Sequence, residues 1–124
     1  MIKNEKFSNG LKIALFGLIS AFKEERNFRI QGFIAAVVIV FAIVLALSPI
    51  EQSILLLTIL VVLSLELINS QIEKFLDLIE PSHHPRVKII KDFSAGAVLL
   101  SVIGSIVIGI LIFLPYIINV IWPR

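Results

Sequence analysis

A chain of 124 residues with 58% hydrophobic content and a mean hydropathy of +1.02 holds more apolar surface than a soluble domain of this size can bury. The composition predicts one integral membrane domain over residues 1–124, and the absence of cysteine excludes disulfides and thiolate metal sites. The net charge of +2 would suggest nucleic acid in a soluble protein, but here the basic residues cluster beside apolar runs as topology signals, so no nucleic-acid partner is expected.

In chain order, the first predicted element is an amphipathic surface helix over about 9–27, with Ser8 or Asn9 as its N-cap. Leu11, Leu15, Leu18 and Phe22 recur at helical spacing, while Gly10, Ala14, Gly17 and Ala21 line a small-residue face suited to close packing. Lys3, Lys6, Lys12, Lys23, Arg26 and Arg29 make this segment too polar and too long for a secretory n-region, and no cleavage site follows. Three spans are predicted next, over about 30–48, 53–79 and 93–116, each near the roughly 20 residues that a bilayer core requires. Pro49 is read as the end of the first, and Pro115 lies near the end of the third. The last two turns of the second are amphipathic.

The 48–53 loop has no Lys or Arg, whereas 74–92 carries Lys74, Arg86, Lys88 and Lys91. The positive-inside rule then places the N-terminus and the second loop in the cytoplasm and the C-terminus outside, as in a multi-pass protein of the bacterial cytoplasmic membrane. In that second loop, over 80–92, Pro81 and Pro85 bracket Ser82, His83 and His84.

The second span carries the most informative residues. Glu66 interrupts an apolar run, and a charged side chain within a spanning helix costs roughly 2.5–3.5 kcal/mol on insertion scales, so its default reading is functional. Spacings of three, four, seven and eleven put Glu66, Asn69, Ser70, Glu73 and Asp77 on one helical face. At about 1.5 Å per residue, Glu66 lies roughly 10–12 Å deeper than Glu73. A carboxylate near the interface can hold Mg²⁺, whose shell phosphate oxygens and water complete. A deeper one, in low-dielectric surroundings, can act as a general base. Arg86, Lys88 and Lys91 would offset phosphate charge, so the pattern suits phosphoryl transfer from a soluble nucleotide to a lipid hydroxyl. Three spans are not expected to enclose this polar face unaided, which predicts a homo-oligomer with sites at subunit interfaces.

Other motifs are missing. No G-x-x-x-x-G-K-[ST] occurs; Gly104 and Gly109 have its glycine spacing, but Ile110 and Leu111 follow inside a span. Protein-kinase signatures and a G-x-S-x-G elbow are also absent. His83 and His84 project in different directions, which favours a loop role or a nucleotide contact over metal ligation.

The block Glu66-Leu-Ile-Asn69-Ser70-x-x-Glu73-x-x-x-Asp77, followed by Lys91-Asp92 and Ala95-Gly96-Ala97, resembles the bacterial membrane diacylglycerol kinase family, which includes undecaprenol kinases. Upstream, 22–31, with Glu25, Asn27, Arg29 and Gln31, resembles the family's first motif. The resemblance implies an all-α homotrimer with shared active sites, MgATP as donor and a membrane lipid alcohol as acceptor. It makes Glu66 the catalytic base, Glu25 and Glu73 the Mg²⁺ ligands, and Asn69 a residue that positions the reacting groups. Lys91 and Asp92 match nucleotide-binding positions, with Ser82, His83 and His84 beside them. Asn27, Ser70 and Asp77 stand as supporting or substrate residues, with simpler readings beside two of them: Asn27 as a cap on the surface helix and Asp77 as a solvated helix end. Arg29 reads as a snorkelling side chain.

The chain departs from the family at Gln71, where relatives commonly have alanine, and at Gln31, where they often have a carboxylate or histidine. The tryptophans of one branch's surface helix are also missing. The loop His84-Pro85-x-x-Lys88-x-x-Lys91-Asp92 looks more like the undecaprenol-kinase branch, which favours undecaprenol over diacylglycerol as acceptor. The competing readings are a small proton-coupled transporter that titrates Glu66 and an assembly subunit without chemistry. A transporter favours polar residues along a path to both faces, whereas here they gather in the cytoplasmic half.

Overall fold

The computed structural model describes residues 2–124 as four helices: α1 (Ile2–Glu24), α2 (Arg26–Val44), α3 (Pro49–Ile79) and α4 (Pro85–Ile121). The protein is all-α, and α2, α3 and α4 are long and apolar enough to cross a membrane. Helix α3 packs along α4 and, less extensively, along α2, while α1 leans on α2.

Helix α1 begins well before the expected 9, so Ser8 and Asn9 lie inside it and do not cap it. Nothing in Lys3-Asn4-Glu5-Lys6 breaks a helix, and Glu5 in the first turn suits the positive end of the helix dipole. One residue separates α1 from α2. Glu25 is extended (φ −100°, ψ 108°), and the chain turns there into the first span. Arg29 holds this elbow together, donating from Nη1 to the carbonyls of Phe22 (3.1 Å) and Lys23 (2.8 Å). It therefore satisfies the orphan acceptors at the end of α1 and does not merely snorkel. Phe22 and Phe28 meet edge to face with centroids 4.7 Å apart. Gly32 makes room for the Phe22 ring, since a Cβ there would lie 2.8 Å from Phe22 Cε1. Asn27 is in the first turn of α2 and cannot cap α1.

The first span ends at Val44, before the expected 48. Leu47 N–H bonds the Ala42 carbonyl at 3.1 Å, and Ala46 takes a left-handed conformation (φ 53°) to reverse the chain. Pro49 does not stop α2; it is the first residue of α3, where its missing N–H costs nothing. Ser48 caps that helix, its Oγ accepting from the Glu51 N–H at 3.3 Å. The same arrangement recurs at α4. Pro85 is its first residue and His84 its N-cap, so the polar second loop shortens to 80–84 and Arg86, Lys88, Lys91 and Asp92 are helical.

The interior is thin. Ala42, Leu47 and Leu55 form a small cluster at the α2–α3 end, with Ile108, Ile112, Phe113 and Tyr116 of α4 against it. Most large apolar side chains of the three spans are exposed, among them Phe33, Val40, Leu57, Leu100 and Leu111. In a membrane protein those faces meet lipid or other protein.

Candidate active site

Glu66, Asn69 and Ser70 are the buried polar residues among those described, at 6%, 9% and 8% exposure. They share one face of α3 because they are three and four residues apart. Gln31, in the second turn of α2, donates from Nε2 to Glu66 Oε2 at 3.3 Å. A single chain thus covers Glu66 itself, which corrects the expectation that another subunit must do so: the elbow at Glu25 starts α2 close enough to bring Gln31 against α3. Asn69 Oδ1 and Gln31 Oε1 are buried without partners among the described residues. Ser70 donates back to the Leu67 carbonyl at 2.9 Å, so its hydroxyl is satisfied within its own helix.

Further along the same face, Glu73 and Asp77 are exposed. Asp77 is engaged: Lys91 Nζ of α4 bonds its Oδ1 at 2.6 Å across the helix pair, so it does more than solvate a helix end. Asp92 pairs one turn back with Lys88 at 2.7 Å. Both pairs are largely solvent-accessible, and such pairs typically contribute less than about 1 kcal/mol, so little opposes their exchange for a phosphate.

Glu25 sits half-buried at the elbow, where the Lys74 ammonium pairs with it and lies 3.8 Å from Glu24. Lys74 follows Glu73 directly, so Glu25 faces a side of α3 about 100° around from the Glu66 stripe. Among the described residues, no three His, Asp or Glu side chains gather into a metal cluster. In the 80–84 connector, His84 Nδ1 accepts from the Arg86 N–H at 3.1 Å, which leaves Nε2 free. Ser82 bonds Glu80, and His83 is exposed. Asn27 is exposed as well, near the elbow.

Two cavities adjoin these groups. One, of about 340 Å³, lies between α1 and α3 and is of mixed character, with the small residues Ala14, Gly17 and Ala21 on one side and the polar Glu24, Glu25 and Gln71 also in its wall. The other, also about 340 Å³, runs between α2, α3 and α4 from Gln31 towards Phe113. The hydroxyls of Thr58 and Ser105 in its wall donate to the carbonyls of Ile54 and Val102, both at 2.7 Å, and so add no polar demand.

Read from sequence, Lys74 is only a topology charge, and Gln31 is a departure within the first family motif with no contact assigned to it. Helical periodicity within one element cannot reveal a contact between residues 35 apart, and Lys74 reads as a topology charge until α1 is placed beside α3.

A family described as prokaryotic diacylglycerol kinase matches residues 12–113. The chain is 42% identical over 99 residues to an undecaprenol kinase of Bacillus subtilis, covering 80% of each chain. It is 41% identical over 105 residues to a diacylglycerol kinase of Synechocystis, covering 84% of this chain and 60% of that one. Identity to a diacylglycerol kinase of Haemophilus influenzae is 35% over 107 residues, covering 85% and 91%.

Proposed function

The chain belongs to the prokaryotic diacylglycerol kinase family and is a membrane lipid kinase, and we propose that it transfers the γ-phosphate of ATP to undecaprenol with Glu66 as the general base. The observation that carries the mechanism is the burial of Glu66 against Gln31 within a spanning helix. A lipid hydroxyl at that depth gives its proton to the Glu66 carboxylate as its oxygen attacks the γ-phosphorus. The bond to the bridging oxygen breaks, ADP leaves, and Glu66 returns the proton to water. Asn69, one turn away with a free carbonyl oxygen, positions the reacting groups. Ser70 and Asn27 support this end of the site.

Glu25 and Glu73 are the residues that would hold Mg²⁺. They offer the hard carboxylate oxygens that this ion prefers, and Glu25 already accepts a cationic partner in the Lys74 ammonium. When bound, the ion draws charge from the nucleotide phosphates. Lys91, released from Asp77, meets the phosphates, and Asp92, His84, His83 and Ser82 border the nucleotide at the α3–α4 connector. The N-terminus and this connector face the cytoplasm, where ATP is available, and the C-terminus lies outside. The subunits assemble as a homotrimer that brings Glu25 and Glu73 to shared sites; family resemblance supports this, as do the broad apolar faces left uncovered on one chain.

Undecaprenol is favoured over diacylglycerol by the 84–92 segment, and the small-residue face of Gly10, Ala14, Gly17 and Ala21 on α1 suits close passage of one narrow chain. The names of the relatives leave both alcohols in play, since the two highest identities quoted differ by one per cent. Competition between the two alcohols at equal mole fraction in mixed micelles is the test. Faster phosphorylation of undecaprenol is expected; a preference for diacylglycerol reverses the substrate assignment and leaves the kinase chemistry intact.

A further inference from the structure

We infer that Gln31 is a positioning residue for the transfer step, fixing the Glu66 carboxylate in the orientation from which it takes the acceptor's proton. This inference rests on the reading of Glu66 as the base.

Gln31 is the one side chain recorded donating to Glu66 among the described residues, and the bond joins two different helices. Through rotation about its side-chain bonds, a carboxylate without a fixed partner would spread over several positions. The amide donates to Oε2 and leaves Oε1 to receive the hydroxyl proton. A neutral donor has a second consequence. It binds the ionised carboxylate without neutralising it, whereas a lysine or arginine at this position would hold the charge too firmly for Glu66 to accept a proton. Gln31 also stands at the polar end of the cavity between α2, α3 and α4, so one side chain marks the boundary between hydrocarbon space and the reacting group.

The experiment compares Gln31→Leu and Gln31→His with the wild-type protein in mixed micelles, varying MgATP at saturating undecaprenol. Leucine suits a spanning helix, so folding is retained, and histidine restores an N–H donor. In Gln31→Leu, kcat should fall about 10- to 100-fold while KM for MgATP stays within about twofold, since only orientation at the reacting atom is lost. Gln31→His should recover kcat to within about fivefold of wild type. Wild-type kcat in Gln31→Leu overturns the inference. So does an equal kcat loss in both variants, because packing and not donation would then be the cause. Glu66→Gln, assayed alongside, separates the two levels. If it turns over at the wild-type rate, the assignment of the base fails; if it is inactive while Gln31→Leu is normal, only the role of Gln31 fails.

Discussion

At Glu66, one charged residue in an apolar helix is made tolerable by burial within its own chain and by a single amide donor. If Glu25 and Glu73 hold Mg²⁺ as proposed, replacing either with Gln should raise the Mg²⁺ and MgATP requirement and leave the apparent affinity for the lipid alcohol little changed, because the amide keeps the side chain's shape and removes only a charged oxygen ligand. Titrations of each component in micelles check this; a raised lipid requirement with an unmoved Mg²⁺ titration would place these carboxylates in the acceptor site instead. The polar stripe from Glu66 to Asp77 was legible in the sequence because helical periodicity determines which residues of one helix share a face. Its partners were not: Gln31 and Lys91 reach it from other helices, and no spacing within one element encodes such contacts or the pairing of Lys74 with Glu25.

Two elements depend on local backbone chemistry, and each gives a test. Ala46 closes α2 at φ 53°, a conformation that costs an L residue about 1–2 kcal/mol, while glycine loses about 0.5–1 kcal/mol in chain entropy. Ala46→Gly should therefore stabilise the protein by about 0.5 kcal/mol, read as a small rise in thermal midpoint in detergent, with turnover unchanged because the position is remote from Glu66. At the elbow, Gly32→Ala would press its Cβ against Phe22 Cε1 and displace the ring that packs on Phe28. Since Glu25 lies between those phenylalanines, kcat/KM for MgATP should fall about two- to tenfold, measured in the same micelle assay beside Gly104→Ala, where no neighbour lies within 4 Å and no change is expected. The spans were readable from hydropathy, but their ends were not. Pro49 and Pro85 each follow a capping side chain and start a helix, whereas a proline read from sequence is equally a stop.

For the whole molecule, charge and apolar faces set the placement. Lysines and arginines gather around α1 and the 74–91 region, and the one connection without them, near Ser48, lies at the opposite end of α3. That polarity brings Glu25, the Glu66 stripe and the α3–α4 connector towards one membrane face, where a soluble nucleotide and a lipid hydroxyl can meet. The measurement that tests this account most directly is transfer of labelled γ-phosphate from MgATP to undecaprenol in mixed micelles, by the wild-type protein and by Glu66→Gln. The wild type should yield labelled undecaprenyl phosphate, and the folded variant should be slower by at least about 10²-fold, the low end of what general base catalysis contributes. Wild-type turnover in Glu66→Gln would contradict the account.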